Sequence, residues 1–167
     1  VFGQGVALQL TGRFDEALES YRKVLGRNPR SEEALSNLVA MFLKRPDYGL
    51  AKKYAEMLME LRPDSPGAME ALATVAFQDG DYITAARFCR NLVEMLPERF
   101  EHWFNLGVAH QKMGNLPKAV QAYSQAAAVN PNCGSWTLGP IATETEAQTV
   151  RSAAAANGGE GVGTGGL

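Results

Sequence analysis

The stretch Phe100–Pro131, FEHWFNLGVAHQKMGNLPKAVQAYSQAAAVNP, decides how the chain is read, because a blurred copy of it recurs three times upstream. Pro29, Pro63, Pro97 and Pro131 stand 34 residues apart, and Ala17, Ala51, Ala85 and Ala119 keep the same interval without an insertion. Phe14, Tyr48, Tyr82 and Leu116 repeat in register as a large apolar residue three positions before each alanine. A fixed period of this length is the signature of a repeat architecture, in which each unit is one supersecondary element stacked on the next.

Each unit reads as two helices. Leu35, Leu38, Val39 and Phe42 recur at steps of three and four and share one helical face, with Ser36, Asn37 and Lys44 elsewhere. The breaks TGRF, RPDY, DGDY and MGNL carry Gly or Pro, and Asp47, Asp81 or Asn115 follows as a residue able to cap the next helix. Every unit closes on a proline, whose missing N–H and fixed φ stop the second helix. The alanine ladder marks close helix approach, where a leucine would overpack the crossing by about 1–3 kcal/mol.

The bulk numbers exclude other classes of function. Among 167 residues, 16 Lys and Arg oppose 18 Asp and Glu for a net charge of −2, and the basic residues are scattered in pairs such as Arg22-Lys23 and Lys52-Lys53. Neither nucleic acid nor an anionic membrane is expected as a partner. No window approaches the run of about 18 apolar residues that a membrane span needs, and the first residues lack a secretory pattern. Cys89 and Cys133 lie far apart and suggest neither a metal pair nor a disulfide scaffold. A reducing, cytoplasmic setting is expected. Residue 1 is Val with a helical pattern already running, so an internal piece of a longer polypeptide is expected.

Trp103-x₂-Leu106-Gly107-x₂-His110, then Ala119-x₃-Tyr123, then Pro131 resembles the tetratricopeptide repeat signature W-x₂-L-G-x₂-Y, A-x₃-F and P. Units two and three keep Leu38 and Leu72, Ala51 and Ala85, Pro63 and Pro97, with Val39 and Ala73 in place of the glycine. The first unit keeps Gly5, Ala17, Tyr21 and Pro29 but has Gln4 where leucine is usual. The resemblance covers residues 1–131 and implies an all-α fold, a right-handed α-α superhelix of about four helix-turn-helix repeats. Residues 132–167 are expected to form an Ala- and Gly-rich, poorly ordered tail. A short helix is expected over 143–157, with Thr143 and Glu146 spaced as a capping box.

The resemblance also implies a concave groove, lined by the first helices, that holds a peptide or protein segment. Carried over unit by unit, its lining is Val6 and Gln9, then Ser36, Asn37, Ala40 and Leu43, then Glu70, Thr74 and Phe77, then Phe104, Asn105, Val108 and Gln111. The chaperone-tail subgroup grips a C-terminal carboxylate with Lys, Arg and Asn. Asn37 and Asn105 are present here, but Ser36, Gly67 and Ala71 stand where the cations would be sought, so that subgroup is rejected. The expected activity is that of a non-catalytic scaffold with a protein or peptide ligand and weak self-association through the array ends. The alternative is an accessory region of a larger enzyme, such as a glycosyl-, sulfo- or methyltransferase.

No cofactor, metal or catalytic residue is expected. His102 and His110 lack Cys, Asp or Glu at ligand spacing. Cys89 falls in a ladder with Tyr21, Ala55 and Tyr123 and reads as a buried small residue, while Trp103 reads as packing between paired helices. GGEGVGTGGL lacks the strand, helix and Lys-Ser/Thr of a phosphate loop. Trp136 is left open, either folded back over the last helix or exposed.

Overall fold

A computed structural model describes residues 13–130 and Ser152. Among the described residues seven helices follow one another with no strand. They are α1 (Phe14–Arg27), α2 (Glu32–Lys44), α3 (Tyr48–Leu61), α4 (Pro66–Asp79), α5 (Tyr82–Met95), α6 (Phe100–Lys112) and α7 (Leu116–Val129). The chain divides into two compact units, Val1–Val75 and Ala76–Leu167. The first holds α1, α2, α3 and most of α4, and the second holds the end of α4 with α5, α6 and α7. Val6, Gln9, the first helix expected of the first sequence repeat, Cys133, Trp136 and the tail helix expected over 143–157, Ser152 apart, lie outside the described residues.

The 34-residue period reappears in the backbone hydrogen bonds. The N–H groups of Asn28, Arg62, Leu96 and Asn130 donate to the carbonyls of Val24, Leu58, Leu92 and Ala126 at 2.8 to 2.9 Å. These four C-caps have φ between −133° and −137°. Each precedes a proline, whose ring excludes the helical conformation from the residue before it and so ends the helix there. After Pro29, Pro63 and Pro97 the next helix starts three residues later, at Glu32, Pro66 and Phe100. Ser31 and Ser65 cap α2 and α4 by accepting from the N–H groups of Ala34 at 3.3 Å and Ala68 at 3.4 Å. Arg99 occupies the same register before α6 and makes no side-chain cap.

The turns inside the hairpins repeat as well. Asp47, Asp81 and Asn115 donate their N–H groups to the carbonyls five residues back, on Phe42, Ala76 and His110, at 3.1, 2.8 and 2.8 Å. Their side chains accept from the N–H groups of Leu50, Thr84 and Lys118, satisfying one of the donors that a helix start leaves unpaired. Gly80 and Gly114 reach φ of 74° and 75° in these turns, a left-handed conformation that a Cβ disfavours. Pro46 holds the equivalent place before α3 and cannot follow, because its ring fixes φ near −65°. There the turn adds a bond from the Asp47 N–H to the Arg45 carbonyl.

In the first unit α2 packs on α1 and α3, and in the second α6 packs on α5 and α7. The ladder alanines Ala17, Ala51, Ala85 and Ala119 are all buried. Leu35, Leu38, Leu58 and Leu92 are buried with them, and hiding each such side chain is worth roughly 1.5–3 kcal/mol. The Phe42 ring stacks on Tyr54 at 5.7 Å and meets Phe14 edge-on at 5.8 Å. Arg62 joins the end of α3 to the start of α2 through both carboxylate oxygens of Glu32, at 3.0 and 3.1 Å.

Gly107 explains how α6 and α7 close. A Cβ built there would stand 2.5 Å from Tyr123 Cε1, so the buried ring occupies the space that glycine leaves. The corresponding pair in the first unit is Val39 on α2 and Ala55 on α3, both buried. At these register positions bulk sits on the second helix in one hairpin and on the first in the other, the kind of exchange that cores tolerate.

Candidate functional site

The candidate lining on α2 divides by exposure. Ser36 and Ala40 are exposed, while Asn37 and Leu43 are partly covered. These positions follow steps of three and four, so they form one strip beside the buried face of Leu35, Leu38 and Phe42. The Asn37 side-chain amide donates to the Glu33 carbonyl at 2.8 Å, which fixes its orientation along the helix. On α4, Glu70 and Thr74 are partly covered, and the Thr74 hydroxyl donates to the Glu70 carbonyl at 2.9 Å. Within the first unit these positions therefore offer hydroxyl and amide groups, the apolar side chains of Ala40 and Leu43 and a single carboxylate.

In the second unit Phe104, Asn105 and Gln111 on α6 are partly covered. Phe104 leans on Tyr123 with ring centroids 5.6 Å apart, and the Tyr123 hydroxyl donates to Gln111 Oε1 at 2.8 Å. One edge of this surface is thus anchored to α7. Val108 is fully buried, and Phe77 is 8% exposed with its ring 6.3 Å from that of Tyr82. Both serve the core of their surroundings and leave almost no area for a ligand. Ala76 and Val108 belong to continuous buried faces, and spacing alone places a residue on the border of such a face only to within one position.

Two other sequence expectations meet the structure differently. Cys89 is buried, and burial pushes its thiol up to about 12, which makes it an inert core residue. Trp103 is not a core residue. It is only partly covered, and its indole N–H donates to the Pro97 carbonyl at 3.0 Å, holding the ring beside the turn that precedes α6. The helix-forming pattern placed it correctly on the helix. However, the first turn of α6 sits where the chain enters from that proline turn, and the ring meets the surface there.

Among the described residues no cluster of three His, Cys, Asp or Glu is placed to hold a metal ion, and no helix is long and apolar enough to cross a membrane.

Comparison with known proteins gives a consistent picture. Two tetratricopeptide repeat family models match, one over residues 2–66 and one over residues 100–133. The general transcriptional corepressor ssn6 of Schizosaccharomyces pombe is 24% identical over 120 residues, 71% of this chain. The match spans only 11% of that relative's length. A solved MamA structure superposes with a TM-score of 0.77 at 21% identity, covering 92% of this chain and 84% of that one. YrrB, described as a TPR protein with an unusual peptide-binding site, superposes with a TM-score of 0.73 at 18% identity, covering 90% and 72%. At such identities the likeness is one of fold.

Proposed function

The chain belongs to the tetratricopeptide repeat family, and we propose that it acts as a non-catalytic module holding a peptide or protein segment against the exposed strips of its first helices. The observation that carries this reading is the composition of those strips. Ser36, Asn37, Ala40 and Leu43 on α2 leave hydroxyl, amide and aliphatic groups at the surface, and Phe104, Asn105 and Gln111 on α6 leave an aromatic ring and two amides partly exposed. An extended or helical segment needs such a mixture: apolar contacts for affinity and a few directed hydrogen bonds for register. The amide of Asn37 and the carbonyl of Gln111 are already tied within the fold, so a ligand would meet the opposite end of each amide in a fixed orientation. Such preorganisation lowers the entropy lost on binding.

The peptide-binding site in the description of YrrB supports a peptide as ligand, and the likeness to a corepressor supports work within assemblies of proteins. A reducing setting, in the simplest reading the cytoplasm, suits Cys89, which is a free thiol.

The test is a double variant, Ala40→Arg with Asn105→Arg, which places a long cation on each strip without touching a buried residue. Its circular dichroism should match the parent, and proteins captured by the parent from native extract should be lost. A folded double variant that still retains every captured protein would remove the strips from consideration.

A further inference from the structure

On another side of α6 the second unit contains a cavity of about 530 Å³. Arg90 from α5, Trp103 and His110 from α6, and Lys118, Gln121 and Gln125 from α7 line it. Trp103 and His110 each precede a strip residue, Phe104 and Gln111, and so lie about 100° around the helix from that strip.

The charge in this cavity is one-sided. No acidic residue lines it, and α7 carries none at all. Glu101 on α6 is held by Arg99 at 3.3 Å. Among the described residues Arg90 and Lys118 form no ion pair. Neither Gln121 nor Gln125 has a side-chain hydrogen bond there.

His110 registers this imbalance. It is buried at 7% exposure, and its Nδ1 has no hydrogen-bond partner. Burial holds its pKa below the ordinary histidine value, and Lys118 and Arg90 press it further down. These two, one from each flanking helix, are the charged groups that bear on the imidazole. Positive charge gathered around a concave surface without a counter-charge attracts an anion.

The kind of anion follows from the backbone. Phosphate sites draw on several free N–H groups at a helix start. The start of α7 offers few, because Pro117 has no N–H and the Lys118 N–H already donates to Asn115. Side-chain cations and amides remain, beside an indole whose N–H is engaged and whose ring is therefore fixed.

We propose that this cavity binds an acidic peptide segment of a partner protein. Arg90 and Lys118 take a carboxylate, Gln121 and Gln125 hydrogen-bond the peptide backbone, and Trp103 packs an adjacent apolar side chain. The site is separate from the strips on the first helices and stands or falls without them.

The test uses the full chain carrying Trp136→Phe, which leaves Trp103 as the sole tryptophan reporter. The probes are a blocked hexapeptide of alternating glutamate and leucine, the same peptide with glutamine for glutamate, and inorganic phosphate. The glutamate peptide should change Trp103 fluorescence and bind at least about tenfold tighter than the glutamine peptide at low salt, with the difference shrinking as salt is raised. Arg90→Gln with Lys118→Gln alters two exposed side chains and should erase that difference at unchanged helicity. Bound carboxylate should also raise the His110 pKa, read from its ring proton resonances, by offsetting the two cations. Equal binding of the two peptides, a double variant that still discriminates between them, or phosphate displacing the glutamate peptide at equal concentration would each overturn the assignment.

Discussion

Gly107 and Tyr123 offer the sharpest test of how the helical hairpins close. A Cβ at Gly107 would lie 2.5, 2.6 and 3.0 Å from Tyr123 Cε1, Cδ1 and Cζ. Carbon atoms prefer about 3.5–4.0 Å, so the ring would have to move by roughly 1 Å. It has little freedom to do so, being fully buried, bonded through its hydroxyl to Gln111 and set against Phe104. Overpacking of this kind costs about 1–3 kcal/mol, and Gly107→Val, with more bulk than a methyl, should fall in the upper part of that range. Tyr123→Ala alone should cost about 3–5 kcal/mol by emptying the site. Combined, the two changes recreate the arrangement of Val39 with Ala55. The double variant should then be more stable than the summed single costs require by at least about 1 kcal/mol, well beyond the few tenths expected of independent sites. Urea unfolding followed by circular dichroism and by tryptophan fluorescence measures all three variants. Gly26→Ala serves as a control, since it lies in α1 with nothing within 4 Å of the added Cβ and should gain up to about 1 kcal/mol of helix propensity. Strict additivity, or a neutral Gly107→Val, would refute the exchange of bulk between paired helices.

Ala51→Leu and Ala85→Leu insert bulk at fully buried positions and should each destabilise by about 1–3 kcal/mol; thermal melting at or above the parent midpoint would count against close approach at the ladder. Cys89 yields a pH dependence with a defined sign. Its thiol sits at about 12 in the folded chain against an ordinary value of 9.0, so above pH 9 the unfolded chain loses a proton that the folded chain keeps. Stability from this group is complete below about pH 9 and declines as pH rises toward 12, and Cys89→Ala should flatten that part of a stability profile recorded by urea titration. In native protein the thiol should resist a colorimetric disulfide reagent at pH 8 and react once urea unfolds the chain.

The two ladders were legible because their causes are local. A proline ends a helix whatever surrounds it, and Asp47, Asp81 and Asn115 cap through a bond three residues away, so letters suffice to place both. Cys89 was legible for a related reason, its register with Tyr21 and Tyr123, both buried. Trp103 was not, because its exposure depends on where the turn after Pro97 delivers the first turn of α6. Val108 and Phe77 sit one helical step from residues that do reach the surface, a distinction that neighbouring helices decide. Lys118, Gln121 and Gln125 share one face of α7 by their steps of three and four, and α7 carries no acidic residue, but nothing in the spacing brings Arg90 of α5 or the face of α6 to the same cavity.

That division has a physical consequence for how such a chain can change its ligand. The bonds that set the register run between backbone atoms at 28, 62, 96 and 130 and again at 47, 81 and 115, and they persist where the side chains differ. Arg99 replaces a capping serine and Pro46 replaces a left-handed glycine, yet the helices all begin on the same period. Core bulk is likewise not tied to a fixed residue at each place: glycine faces tyrosine in one hairpin, while buried valine and alanine hold the same register in another. The exposed positions therefore carry little of the folding free energy. Ser36, Ala40 and Arg90 can be exchanged with effects within about 0.5 kcal/mol, the usual range for surface substitutions away from caps and cores. On the binding sites proposed above, specificity and stability are written on different residues of the same helices. A substitution on the strips or at the cavity that alters binding should leave the unfolding transition in place, whereas one in the ladders should shift both together.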